Sequence, residues 1–464
     1  MATINPLDWF SSFDDAGVPY LELYVGFTIV VYLFHTCLDV RQLKALKRPN
    51  PPAALADLFS PELYAKTRAY SLDKWGFAFA HGVYSTVETV IVALTGILPF
   101  FWTTSGTLLG AAAAHLGPSW WPSWARSGTR GEEIVQTVLF VLLLYLGNLV
   151  LELPWGVYST FVIEQRHGFN KQTMGLFLSD LMKQPLQVVL AMVMMPPIVG
   201  IVTYILQVSG PLLPLYLWSF FFGLSLFLMT IYPVFIAPLF NKYEPLPEGS
   251  LRSKIEALAG SLRFPLRKLY RMDGSRRSSH SNAYMYGFFN NKRIVLYDTL
   301  IQQCSEEQVV AVLAHELGHW KLRHTPQLFV VNQTVIVFQF CLYMLVRNST
   351  VLPAAFGFGT GPAVGASGAA PAFVSLILFQ VIMSPMDEVI HYLSNVISRR
   401  FEFQADDFAV RTGHGADLRA ALLKMEEENK GAMHVDPWYS AYHYSHPPLV
   451  DRLRAIDTAE KKRR

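Results

Sequence analysis

Long apolar stretches alternate with polar segments along the whole chain. Seven stretches without Lys or Arg lie at about 21–38, 76–102, 134–158, 186–207, 212–239, 327–346 and 373–398. Each is near the roughly 20 residues that a helix needs to cross the hydrocarbon core of a bilayer. The pattern predicts an all-α polytopic membrane protein with seven transmembrane helices. Its segments are 1–239 with spans one to five, a polar segment 240–326, spans six and seven within 327–398, and a polar segment 399–464. Inside the first polar segment, Lys254–Leu262 has helical periodicity, and the alternating runs Asn282–Tyr286 and Arg293–Tyr297 flank the turn-rich Gly287–Lys292. That arrangement predicts a small β-hairpin. Ser305, followed by Glu306 and Glu307, marks a helix start leading into Val309–Trp320.

Composition supports the membrane reading: 52% of residues are hydrophobic, 14% aromatic and only 16% charged, an unusual balance for a water-soluble chain. A net charge of +3 without a continuous basic patch argues against nucleic acid as a partner. Cys37, Cys304 and Cys341 show no paired spacing, so no disulfide framework or cysteine-rich metal site is expected. Residues 1–20 carry Asp8, Asp14 and Asp15 and no Lys or Arg, unlike the basic start of a cleaved signal peptide. The basic residues also divide unevenly between the two sides of the expected bundle. Alternating the loops gives 0, 2, 0 and 1 Lys+Arg on one side, against 7, 3, 13 and 12 on the other, so 35 of 38 share a side. By the positive-inside rule that side is cytosolic, and the N-terminus lies on the lumenal side. Glu88, Glu152, Asp387, Glu388 and His391 fall inside apolar spans and are expected to face protein or water rather than lipid.

The run His315-Glu316-Leu317-Gly318-His319 lies in the middle of a predicted cytosolic helix. Histidines four residues apart share one helix face and can reach one ion, and the intervening Glu can reach a water bound to it. With 13 His in 464 residues, such a string arises by chance in about one or two of a hundred chains of this composition. A hydrolytic zinc needs a third protein ligand and an open position. His324 lies on the wrong face and beyond the helix end expected before Pro326, His414 sits in a Gly-flanked turn, and Asp298 is too close to wrap back. Glu402 is preferred because it lies one helical turn from Asp406. One carboxylate can then ligate while the other accepts a ligating His N–H and fixes its tautomer.

Five stretches follow one another along the chain: Glu164–Thr173, Ser278–Tyr284, His315–Trp320, Arg399–Asp406 and Tyr444–Leu449. In this order they resemble the integral-membrane CAAX prenyl proteases, the zinc enzymes that process yeast a-factor and prelamin A. The stretch Leu300–Glu307 is short where some relatives carry a long charged insertion. The resemblance implies seven helices enclosing a water-filled chamber, capped by a cytosolic protease domain with one zinc ion per chain. Glu316 is then the general base, His446 an oxyanion donor, and Arg452 a contact to the substrate backbone or carboxylate. Asn282 opens the hairpin's edge strand, where an extended peptide can add as a further strand.

A prenylated C-terminus carries an apolar chain whose natural solvent is the bilayer. The reaction implied by the resemblance is removal of the last three residues of a prenylated CaaX end, with a second upstream cleavage in some members. Lys461 and Lys462 stand fourth and third from the end, as in dilysine retrieval signals, so the endoplasmic reticulum membrane is the expected location, with the inner nuclear membrane as a further one. Two other readings remain open: a broader membrane quality-control protease, and an inactive transporter or scaffold that keeps the metal for structure.

Overall fold

A computed structural model describes residues 15–117, 121–171, 173, 175, 193–276, 280, 282–287, 292–358 and 370–463. The described helices begin with α1 (Tyr20–Leu46), α2 (Pro61–Leu94), α3 (Ile97–Leu116) and α4 (Arg130–Tyr158), which runs on through a π-helical stretch to Glu164. Then come α5 (193–208) and α6 (Leu213–Ile231), itself extended by a π-helical stretch to Ile236. A polar segment follows with β1 (Tyr243–Pro245), α7 (Ser250–Ser261), β2 (Leu266–Met272), β3 (Ala283–Tyr286), β4 (Lys292–Tyr297) and α8 (Glu306–Lys321). The chain continues with α9 (His324–Val346), α10 (Ala372–Ile382), α11 (Ser384–Arg411), α12 (Gly415–Asn429) and α13 (Leu449–Arg463). Among the described residues, six helices are long and apolar enough to cross a membrane. The pair α10 and α11, bent by 59°, makes a seventh if counted as one span.

The expected second span, 76–102, is divided in the structure. Gly96 adopts the left-handed conformation at φ 68° and ψ 23°, which glycine reaches at no steric cost, and the chain turns from α2 into α3. Residues 103–116, expected as loop, are therefore helical. α3 buries Trp102, Ser105 and Leu109. Trp102 meets Phe140 of α4 edge-to-face at 5.5 Å, and its carbonyl accepts from Gln136 Nε2 at 3.0 Å.

Contacts sort the helix ends into two groups. At one end Arg41 pairs with Asp436 at 3.0 Å, Tyr64 donates to the Arg48 carbonyl at 2.6 Å, and Asp73 meets Arg166 and His167 at 2.8 Å. At the other, Arg347 donates to the carbonyls of Gly210 and Ser209 at 3.0 and 3.1 Å, and Glu133 accepts from the Ala372 N–H at 2.9 Å. α2 starts at the first end, and at about 1.5 Å per residue its 34 residues reach the second. α4 also starts from that second end, so α3 lies in sequence between two helix ends on the same side. Residues 186–192 of the expected fourth span lie outside the described residues, and α5 is its continuation.

Several ionisable side chains within the spans have polar partners. His81 lies 3.1 Å from Glu152, His35 lies 3.4 Å from Glu388, which also accepts from Tyr442, and Gln339 donates to Asp387 at 3.0 Å. A cavity of about 470 Å³ between α1, α2 and α11 is lined by polar groups including Thr28, His35, Asp39, Ser85, Glu388 and His443.

The two polar segments share one core. Ile255, Ile294, Leu296, Val309, Leu313 and Leu317 pack with Ala409, Val410, Leu418 and Ile456. The predicted hairpin is present, with Ala283 opposite Leu296 and Tyr286 opposite Arg293, but it is half of a sheet. β2 joins β4 in parallel and β1 joins β2 antiparallel, giving the order β1-β2-β4-β3. β3 is thus an edge strand, with one row of backbone groups unpaired by the sheet.

Candidate active site

The metal-ligand helix α8 is fixed at its start. Ser305 Oγ accepts from the Gln308 N–H while the Gln308 side chain accepts from the Ser305 N–H, a reciprocal cap. Lys254 of α7 pins Glu306 and Glu307 at 2.7 and 2.6 Å. Further along, Gly318 permits close approach to α11. A Cβ there would meet Phe408 at 3.1 Å and the Ala405 backbone at 3.3 Å. Ala405 and Ala409 are fully buried at this contact, so two small-residue faces bring Glu402 level with the histidines.

His315 Nε2 and His319 Nε2 are 3.2 Å apart, His319 Nε2 lies 3.3 Å from Glu402 Oε1, and His315 Nε2 lies 3.5 Å from Glu402 Oε2. An ion held tetrahedrally by bonds of about 2.0–2.1 Å separates its ligand atoms by about 3.3–3.4 Å. The triangle fits that spacing, so these three residues have the geometry to hold one metal ion. The remaining ring nitrogens are committed elsewhere. His315 Nδ1–H donates to Asp406 Oδ1 at 2.8 Å. His319 Nδ1 lies 2.9 Å from His324 Nδ1, whose Nε2–H donates to Gln404 Oε1 at 2.9 Å. Both chains of hydrogen bonds leave the Nε2 lone pairs directed at one point, as metal ligation requires.

Charge at the centre is strongly coupled. Burial alone would lower His315, but the hydrogen bonds to Asp406 and Glu402 more than offset it and push it up to about 9. Burial opposes ionisation of Glu402 as well, yet the three histidines around it hold its carboxyl far below the usual range. Glu316 differs: burial raises its carboxyl, against the lowering effect of His315 and His319. A base lifted toward neutral pH is suited to taking a proton and returning it.

Asp406 is buried and receives two bonds from Arg452, at 2.9 Å from Nε and 2.6 Å from Nη2. Expected from the resemblance as a substrate contact, Arg452 spends these donors inside the protein, and its Nη1 lies 3.8 Å from Glu402. His446 Nδ1 is 2.9 Å from Glu402 Oε2, with its side chain 68% exposed at the cleft mouth. Asn282 precedes β3, where its Oδ1 accepts from the Ala283 N–H at 2.8 Å. All the expected site residues except Asp406 line a single cleft of about 420 Å³.

Three residues of this site were not assigned by the sequence. His324, set aside as a ligand, is the partner of His319. Helix α8 ends at Lys321, the chain turns at Arg323 with φ 60°, and α9 starts at His324, where Phe401 stacks on the imidazole at 4.1 Å. Its signal was a third His five residues past the motif. Gln404 completes this relay from within the Arg399–Asp406 stretch. Glu426 lines the cleft, and burial pushes its carboxyl up to about 7. If the relay holds the His319 tautomer, His324→Ala lowers metal affinity by about 10–100-fold. Competition with a chromophoric chelator measures this, and unchanged affinity refutes it.

Comparison with known proteins accounts for both halves of the chain. Residues 42–242 match the family described as CAAX prenyl protease N-terminal, five membrane helices, and residues 245–460 match peptidase family M48. A CAAX prenyl protease 1 homolog from Arabidopsis thaliana is 52% identical over 448 residues, covering 96% of this chain and 99% of the relative. This chain belongs to the CAAX prenyl protease family. The Homo sapiens CAAX prenyl protease 1 homolog is 39% identical, with 94% of each chain covered. The crystal structure of S. mikatae Ste24p superposes with a TM-score of 0.86 at 33% identity, covering 95% of this chain and 99% of that one. Membership in this metallopeptidase family implies a metal ion, and the His315, His319 and Glu402 group has the donors to hold one.

Proposed function

We propose that this chain is a membrane zinc endopeptidase that removes the C-terminal tripeptide from prenylated CaaX proteins. The observation that carries the reading is the His315–His319–Glu402 triangle beside Glu316, opposite the open edge of β3, at one end of an apolar helix bundle. Zinc is the proposed ion because two neutral imidazoles and a carboxylate leaving an open position form a hydrolytic zinc donor set. When bound, it supplies Lewis acidity toward the scissile carbonyl and eases deprotonation of water.

The protein's own groups do the rest. Glu316 takes the proton from the attacking water and returns it to the departing amine. His446, anchored through Nδ1 at Glu402, presents Nε2 to the oxyanion that develops. Backbone groups of β3 pair with an extended peptide, and Asn282 meets it at the strand's start. Arg452 holds Asp406, which in turn fixes His315, and its Nη1 edge is left for the substrate. The segments 240–326 and 399–464 form the protease, between and after the spans of 1–239 and 327–398.

In this reading the protease end of the bundle is cytosolic and the N-terminus lumenal, which the charge bias of the loops supports. The endoplasmic reticulum is the proposed membrane. A farnesylated CaaX peptide should be cleaved with kcat/KM at least about tenfold above its unprenylated counterpart, since the bilayer and bundle favour an apolar chain. Equal values would remove the prenyl preference and leave a general membrane protease.

A further inference from the structure

The motif Glu164–Thr173 is conspicuous in the sequence and takes no part in the chemistry above. In the structure it bears on both walls of the catalytic cleft. Glu164 ends the π-helical extension of α4, and its Oε1 accepts from Tyr70 of α2 at 2.6 Å. Its Oε2 lies 3.6 Å from His280 Nε2, and His280 Nδ1 lies 3.2 Å from Asn429 Oδ1. Phe169 stacks on the His280 ring at 4.4 Å with planes 14° apart. Lys430 sits 4.6 Å over Phe169 and donates to the His167 carbonyl at 2.5 Å.

These contacts converge on the two sides of the groove. His280 is two residues before Asn282, which leads into β3, and its carbonyl accepts from Thr299 at 3.0 Å. On the other side, Asn429 ends α12, the helix whose Leu418, Leu422, Met425 and Glu426 line the cleft opposite Asn282 and Ala283. Lys430, just beyond, holds a left-handed φ of 48°, a conformation that a non-glycine residue keeps only where its surroundings impose it. One imidazole therefore joins β3, the end of α12 and a membrane-derived loop.

We propose that Glu164, Phe169 and His280 are positioning residues that set the separation of β3 and α12, and with it the fit of an extended peptide. The proposal rests on the reading of β3 as the substrate strand. The contacts described for the three run to Tyr70, Asn429 and one another rather than to His315, His319 or Glu402, so their loss should weaken peptide binding and leave the metal in place. Misplacing a binding wall by a fraction of an ångström acts on the peptide's backbone pairing before it acts on the reacting atoms.

The test uses full-length protein in detergent or liposomes with a farnesylated CaaX peptide. His280→Ala should raise KM by about tenfold with kcat within about twofold of the parent, an effect of lost uniform binding. Metal content should stay at one per chain, and His280→Gln, whose amide can still reach Asn429, should recover most of the loss. Should His280→Ala fail to fold, Glu164→Gln, which can keep the Tyr70 hydrogen bond and loses the ion pair, carries the same expectation for KM. Unchanged KM, lost metal, or a fall in kcat at constant KM would overturn the positioning role. Failure of the parent protein itself to cleave the farnesylated peptide would instead refute the functional reading.

Discussion

Glu316→Gln is expected to give a folded, metal-loaded protein whose kcat is lower by roughly 10²–10⁴-fold, the range for losing a positioned general base. Gln is nearly isosteric, and Glu316 is not among the three groups that form the cation triangle. It can neither take a proton from water nor hand one to the amine. The raised carboxyl of Glu316 comes from burial, so the substitution also removes a charge that is costly to hold there and should not unfold the helix. Metal content and single-turnover cleavage decide the matter together. Full activity with metal retained would reassign the base.

The second large effect is expected at Glu402, where Ala should strip the metal and bring cleavage to background. Two histidines on one helix remain, but a third ligand is what closes the site. The substitution also leaves His315 beside one carboxylate fewer, which lowers its pull on any cation. Metal analysis after dialysis, with helix content followed by circular dichroism, gives the result. One tightly held metal per chain in a folded Glu402→Ala protein would move the third ligand elsewhere. Glu402→Asp, with a side chain shorter by one methylene, should bind weakly because the ring nitrogens are fixed by Asp406 and His324 and cannot follow it.

What the sequence disclosed depended on how local the cause was. The HELGH helix and its Ser305 cap are set by spacing within one or two turns, and both appear as read. Glu402 and Asp406 are also one turn apart, so the helical repeat sets both carboxylates on one face, where each meets His315. The hairpin was visible because its strands alternate, whereas β2, with the sequence Leu266-Arg-Lys-Leu-Tyr-Arg-Met272, carries three cations. It is a strand because β4 pairs with it in parallel, a distant contact that strand propensity does not encode. α3 was hidden for a similar reason. Gly96 inside an apolar run looks like any helix glycine until its φ is known. Arg452 and Asp406 are 46 residues apart, and no local pattern announces that the guanidinium is already occupied.

The centre is also divided in the order of synthesis. His315 and His319 leave the ribosome before α9, α10 and the first part of α11, and Glu402 only after them. Asp406 then waits 46 residues for Arg452. A nascent chain that has not passed its last two membrane helices has no third ligand, and one stopped short of α13 has an unsupported Asp406. The proposed ligand set is therefore complete only after the last two membrane helices have been made.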